Sequence, residues 1–574
     1  MPGKKLNVNQ KTVQQLFSES SSDFLIPDYQ RPYAWTDEEC LILWDDIFSF
    51  AFPDNDYSKF DNSDEYFLGP IVVFKNKDNK LEVIDGQQRL TTLMLLLRAF
   101  YKAYGSNMQD EKSLSVKHNI EKCLWKTDEF DKPDMSALKI ESEVATDNDR
   151  EEFRKILLTG EAPKELMSRY AVNYRFFQDK IKSFIEDTPA YFPYMPTRIL
   201  RNCILLPIEA ESQDTALRIF STLNDRGKPL SDSDIFKAQL YKAFSDDGKK
   251  DEFISQWKQL ENTCEKIFGG NTDNPVDEIF ARYMYFERAK RGNKNSTLEG
   301  LRKFYEAEGY KLLRENHKQT FANLITLADF WNDIANQDAE RFSDRILRRL
   351  FVLNYAPNGM WTYIVSVYFM RNRDENNNLN EEKFYAFLNV ITAFIWAFTI
   401  LRPGVNILRI PVFSEMLNIV NGKDVTFSDF RFDAQELEAA LFSYRFSNNR
   451  PITRSMLAWY AFTFENQELV PIETIFETEH IYARNRYPMP DNIEAIGNKS
   501  LLEKKINIRA SDYKFQDKAK YYLGMIKGKP GTKIYELSEM ASSRQDFSTE
   551  DISRRNEEII KRFMDFIREN NLAQ

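Results

Sequence analysis

Two stretches of this chain hold residue types that could act on a phosphate. The first is Asp85-Gly86-Gln87-Gln88-Arg89, a run of polar letters set between two apolar segments. Glycine lets the backbone approach a ligand closely or take a positive φ. Arg89 offers a fork that clamps a phosphate, and Asp85 offers a carboxylate for a divalent cation or a ribose hydroxyl. The second stretch centres on His480, with Glu479 immediately before it and Asn498 and Asn507 downstream. Hydrolysing a phosphodiester needs a water deprotonated near neutral pH, a task suited to a neutral imidazole. It also needs a hard cation on the scissile phosphate, held by oxygen ligands such as Glu479 and Asn507. Asn498 would orient the loop or the imidazole.

The elements that must position the first group are legible in residues 81–100, LEVIDGQQRLTTLMLLLRAF. Val83 and Ile84 read as a buried strand, and Leu90, Leu93, Met94 and Leu97 fall on one face of a helix. A strand, a tight turn and a helix aim backbone N–H groups at an anion. The same letters also suit an ordinary connection with solvated polar residues. Upstream, Phe24-Leu25-Ile26 reads as a short strand. Thr36 and Glu39 form a capping box for a helix that should bury Leu41, Trp44, Ile47 and Phe48. Between them lies the polar and aromatic loop Gln30-Arg31-Pro32-Tyr33-Ala34-Trp35. A strand over 66–74 completes a compact α+β unit with both polar loops on one rim. Further on, a strand over 204–208 leads to a turn at Asn224-Asp225-Arg226-Gly227-Lys228 and a helix capped by Ser231. That turn is either a plain connection or a source of more donors, Asn224, Arg226 and Lys228, for the same anion.

Residues 245–430 read as helical almost throughout. One run, 384–401, is nearly uncharged and reads as a buried helix rather than a membrane span. At the C-terminal end the pattern is ββα: a strand over 474–480, a second over 500–502, then a helix carrying Tyr513, Lys514, Lys518 and Tyr521. Residues 484–533 hold twelve Lys and Arg against five Asp and Glu, in a chain whose net charge is −10. A local basic patch beside a candidate hydrolytic centre is what a DNA partner requires. Its bland counterpart is one buried histidine and a basic surface helix. His118 and His317 sit among Lys and Glu and read as surface residues. Cys40, Cys123, Cys203 and Cys264 form no CxxC pair, which argues against a thiolate zinc site. Together with an N-terminus that lacks an apolar leader core, they suggest a cytoplasmic protein.

Four blocks, IPDYQRPYAW (26–35), YFLGPIVV (66–73), VIDGQQRLTTL (83–93) and FSTLNDRGKPLSDSDIFK (220–237), together resemble the N-terminal half of the GmrSD-type, modification-dependent (type IV) restriction proteins. The TEHI…GNKSLL…N…F…K pattern (478–518) resembles their C-terminal HNH-like nuclease half. Two positions depart from that pattern: the histidine motif continues as HIYARNRYP, and Lys499 replaces a leucine. The resemblance implies an α+β chain with a ParB-like nucleotide-binding domain over 1–243, a helical middle domain over 244–435 and an HNH-like ββα nuclease domain over 436–574. It implies that Gln30, Arg31, Asp85, Gly86, Gln87, Gln88, Arg89, Asn224, Arg226 and Lys237 bind a nucleoside triphosphate, with Asp85 assisting its hydrolysis. It further implies His480 as general base with Asn498 in support, and Glu479 and Asn507 as ligands of Mg²⁺ or Mn²⁺. Lys504, Lys505, Arg509, Lys514 and Lys518 would contact double-stranded, modified phage DNA. The helical middle region offers a platform for a homodimer. Two rival expectations are a nucleotide-dependent sensor of modified DNA that does not cut, and a non-catalytic scaffold for a partner protein.

Overall fold

Seven short runs among residues 7–210 pair into one mixed sheet. In chain order the strands are β1 (Asn7–Val8), β2 (Lys11–Thr12), β3 (Phe24–Ile26), β4 (Tyr66–Lys75) and β5 (Leu81–Asp85). They continue with β6 (Trp125–Thr127), β7 (Pro133–Leu138), β8 (Ile140–Ser142) and β9 (Cys203–Ala210). The order across the sheet is β1-β9-β4-β5-β3-β8, with β2 also on β9, while β6 and β7 pair separately. The structure, a computed structural model, describes residues 7–574 apart from 20–21, 106–109, 145–148, 213–214, 217–218, 220–230, 271, 273, 294–295, 297–299, 308–310, 403, 405 and 485–488. Asn224, Arg226 and Lys228 therefore lie outside the described residues.

Alternation along the strands sends side chains to opposite faces. Ile71, Val73 and Val83 join the larger core with the Gln87–Ala103 helix. Val72, Phe74 and Ile84 join a smaller one with Tyr29, Ile235 and Ala238. The Gln87–Ala103 helix is more deeply placed than its expected single apolar face implies. Every residue from Leu90 to Phe100 is buried, because Leu95 and Leu96 fill the other side and leave no polar face to solvate. The capping box at Thr36 and Glu39 forms as expected. The phase of that helix differs: it buries Cys40, Leu43, Trp44 and Ile47, and Leu41 faces solvent.

The chain divides into two compact units, Met1–Lys258 and Gln259–Gln574. Most of the helical stretch and the C-terminal hairpin lie in the second unit. Within it the Glu381–Leu401 helix is long and apolar enough to cross a membrane, yet 67% of its apolar window is buried inside the protein. His317, expected on the surface, is buried at the start of a helix with Nδ1 2.6 Å from the Arg314 carbonyl. The hairpin consists of β10 (Phe476–His480) and β11 (Lys499–Glu503), antiparallel, with His480 opposite Lys499 and Glu479 opposite Ser500.

Arg555, on the Thr549–Glu569 helix, explains why hairpin and helices cohere. Its guanidinium is buried and forks onto Glu536 at 2.6 and 2.8 Å, while Nη1 donates to the carbonyls of Gly497 (2.9 Å) and Lys499 (2.7 Å). One side chain therefore clamps the connector that enters β11. Truncating one partner of a buried pair leaves the other charge stranded, so Arg555→Ala should cost about 3–5 kcal/mol. Urea unfolding followed by tryptophan fluorescence measures this, and a loss within error of zero contradicts the clamp.

Candidate functional site

In the N-terminal unit, β5 ends at Asp85 and the Gln87–Ala103 helix begins two residues later, with Gly86 between them. Gly86 makes the corner at φ +90°, where a Cβ would fall 2.5 Å from Ile71 Cγ2, so both the sign of φ and the space demand glycine. No side chain caps this helix. Asp85 accepts the Gly86 N–H at 2.7 Å. Burial pushes its carboxyl up, against the Gly86 hydrogen bond and the charges of Arg89 and Arg31. Arg89 is pulled down by burial, against Asp85. Its Nη1 donates to the Pro70 carbonyl at 2.8 Å, and its guanidinium lies against Gly69, where a Cβ would come within 2.9 Å.

The two polar loops do share a rim, and the glutamines are what join them. Gln87 donates to the Arg31 carbonyl (3.2 Å). Gln88 donates to the Pro32 carbonyl (3.1 Å) and accepts from the N–H groups of Ala34 (2.6 Å) and Trp35 (3.3 Å). Gln30 donates to the carbonyls of Val83 and Ile84 (3.2 and 3.0 Å). Buried backbone groups of a loop need partners, and these amides supply them. The structure therefore places all three glutamines on backbone, while Asp85, Arg89 and Arg31 form the charged group. Tyr33 reinforces the loop through Thr92 (2.7 Å) and Asn173 (3.0 Å). Lys237 is buried on the Asp232–Asp246 helix, whose Ile235 and Ala238 pack on the other face of the sheet, with Nζ 5.7 Å from the Trp257 ring centroid.

In the C-terminal unit the alternation of β10 sends the adjacent Glu479 and His480 to opposite faces. On one face the buried Glu479 carboxylate accepts from Lys518 Nζ (2.6 Å) and the Tyr522 hydroxyl (2.5 Å). Lys518 also donates to the His480 carbonyl at 2.6 Å. Burial pushes the Glu479 carboxyl up, opposed by Lys518. Asn507 donates its amide to Glu477 at 2.8 Å. As folded, the Glu479 carboxylate does not fit a divalent cation, because it is already neutralised by an internal ammonium. Among the described residues no three His, Cys, Asp or Glu side chains gather as a metal cage. Lys518, expected on the DNA surface, is turned inward for the same reason. Lys504, Lys505 and Lys514 are exposed, and Arg509 is half-exposed with Nε on the Lys505 carbonyl.

On the opposite face His480 is buried, and its Nε2 lies 3.5 Å from Glu494 Oε1. Burial, with Lys499 and Arg484 nearby, pulls its pKa down to about 4, against Glu494. Asn498 is buried and does orient the loop: Oδ1 accepts from Tyr482 N–H (2.7 Å), and Nδ2 donates to the carbonyls of Tyr482 (3.2 Å) and Ile493 (3.0 Å). Glu494, Tyr522 and Asn448 are neighbours that the sequence reading missed. Glu494 alone left a trace, as one of the few acids in a basic connector.

Residues 13–241 match the family model described as the GmrSD restriction endonuclease, N-terminal domain. The match includes the Gln30–Trp35 loop, the Asp85–Arg89 turn and Lys237, and stops well before the hairpin. No curated protein matches the chain.

Because His480 stays neutral in the fold until about pH 4, while an ordinary imidazole takes its proton near 6.5, the unfolded chain binds more protons between those values. Stability of the C-terminal unit should therefore fall as pH drops from about 6.5 towards 4. Denaturation at a series of pH values checks this. His480→Gln should flatten the slope, and an unchanged slope in that variant contradicts the assignment.

Proposed function

We propose that this chain, whose residues 13–241 match the N-terminal domain of the GmrSD restriction endonucleases, is a defence enzyme that acts on foreign, modified double-stranded DNA under control of a nucleoside triphosphate. DNA as the substrate class comes with the family. The triphosphate is supported by the geometry of the Asp85–Arg89 turn, which is the observation that carries the reading. A helix N-terminus without a side-chain cap leaves first-turn N–H groups for an anion. Arg31 and Arg89 stand near Asp85 and bring positive charge to the same corner. These residues would hold the phosphates, and Asp85 a sugar hydroxyl. When bound, the nucleotide supplies a phosphoanhydride whose hydrolysis can drive a change of state.

DNA cleavage is assigned to the His480 face of the hairpin. A histidine that is neutral at physiological pH can take a proton from an attacking water. Its burial, and the Asn498 bonds that fix the loop after it, hold it in one place. Exposed Lys504, Lys505 and Lys514 would meet the phosphate backbone, which contributes affinity and makes it salt-dependent. Glu479 is committed to Lys518 at 2.6 Å. That same commitment favours a second reading, a nucleotide-driven sensor of modified DNA that does not cut.

Plain and modified DNA incubated with Mg²⁺ or Mn²⁺, with and without each nucleoside triphosphate, separates the two. On the first reading His480→Ala slows cleavage by at least roughly a hundredfold, and Asp85→Ala or Arg89→Ala removes the nucleotide response. Cleavage by His480→Ala at the wild-type rate refutes the assignment. Nucleotide hydrolysis and DNA binding without any cutting establish the sensor.

A further inference from the structure

The connector between the two strands of the hairpin carries a polar cluster that the proposed chemistry does not use. Lys499 lies directly across the hairpin from His480 and is fully buried. A buried ammonium needs an acceptor for each of its protons, and Lys499 has three: Glu494 Oε2 at 2.7 Å, Asn448 Oδ1 at 2.9 Å and the Phe446 carbonyl. Asn448 in turn donates to the Thr478 carbonyl at 3.2 Å, which ties the cluster back to β10. Glu494 is also anchored through its backbone, its carbonyl accepting from Phe446 N–H at 3.1 Å. Its second oxygen, Oε1, is the one that stands 3.5 Å from His480 Nε2. That nitrogen is buried, and among the described residues it makes no hydrogen bond, so the Glu494 carboxylate is the acceptor that faces it.

We infer that Glu494 and Lys499 are positioning residues for His480, the carboxylate drawing the imidazole proton to Nε2 so that Nδ1 carries the free lone pair. A neutral imidazole has one N–H, and its place is set by the acceptor that faces it. Lys499 is what holds that acceptor still: it fixes one carboxylate oxygen and leaves the other aimed at the ring. Without such a partner the ring can change tautomer and swing, and a lone pair misplaced by an ångström loses much of its effect on rate. The inference rests on His480 being the base, so its test has one readout that is independent of cleavage.

The full chain labelled with ¹⁵N-histidine, with His480 identified by its absence in His480→Gln, reports the tautomer through its ring nitrogen shifts at neutral pH. Wild type should show a single form protonated at Nε2. Glu494→Ala should show mixed tautomers and a kcat lower by up to roughly a hundredfold with KM for DNA little changed, and Glu494→Asp should recover part of both. Lys499→Met should reproduce the Glu494→Ala spectrum in a chain that still binds DNA. If His480 keeps one tautomer and the wild-type kcat in Glu494→Ala, the inference is overturned. A tautomer change in a protein that never cuts DNA upholds the pair and overturns the nuclease reading instead.

Discussion

A charge moved out of water must meet its opposite, and the C-terminal hairpin is arranged around that requirement. Glu479 meets Lys518, Glu494 meets Lys499 and Glu536 meets Arg555, with all six side chains buried or nearly so. Pairs of this kind contribute little net stability compared with well-packed apolar groups, but breaking one is costly. Here they set the register. A slip of one residue in β10 would exchange its two faces, turning Glu479 away from Lys518 and His480 away from Glu494. The connector is held as tightly as the strands, because Asn498 and Arg555 satisfy its backbone carbonyls.

The N-terminal turn meets a related requirement with neutral groups. A polar loop packed over a sheet must have its backbone N–H and C=O groups satisfied, and side-chain amides from Gln30, Gln87 and Gln88 do this. The charged residues of the same motif are left with a different part. Asp85 and Arg89 sit on either side of a glycine corner whose geometry allows no side chain, at the start of a helix buried on all sides. The helix is therefore a rigid base for the polar turn at its start. The two centres differ in kind: one is a polar turn at an uncapped helix end, the other a buried histidine beside paired charges.

Much of this was legible from residue order. The strands at 24–26, 66–74 and 81–85, the glycine corner at 86, the capping box at 36, the helix cap at 231 and the hairpin around His480 are local patterns. Each strand, corner and cap depends on neighbours within a few residues, so the letters suffice, and the hairpin follows from two such strands in succession. The sequence also places Glu479 beside His480 and Asn498 nine residues before Asn507, which is why an enzyme centre suggested itself. Tertiary packing decided which of those residues share a face and what each one touches. Alternation along β10 separates Glu479 from His480. Lys518, 39 positions after Glu479, arrives from a later helix to neutralise it. Glu494 is brought to the imidazole by Lys499 and by the backbone of Phe446. The Glu479–Lys518 and Glu494–Phe446 contacts join residues far apart in the chain, and the free energy that selects these contacts, burial of polar groups with their partners, exists only once water has been excluded.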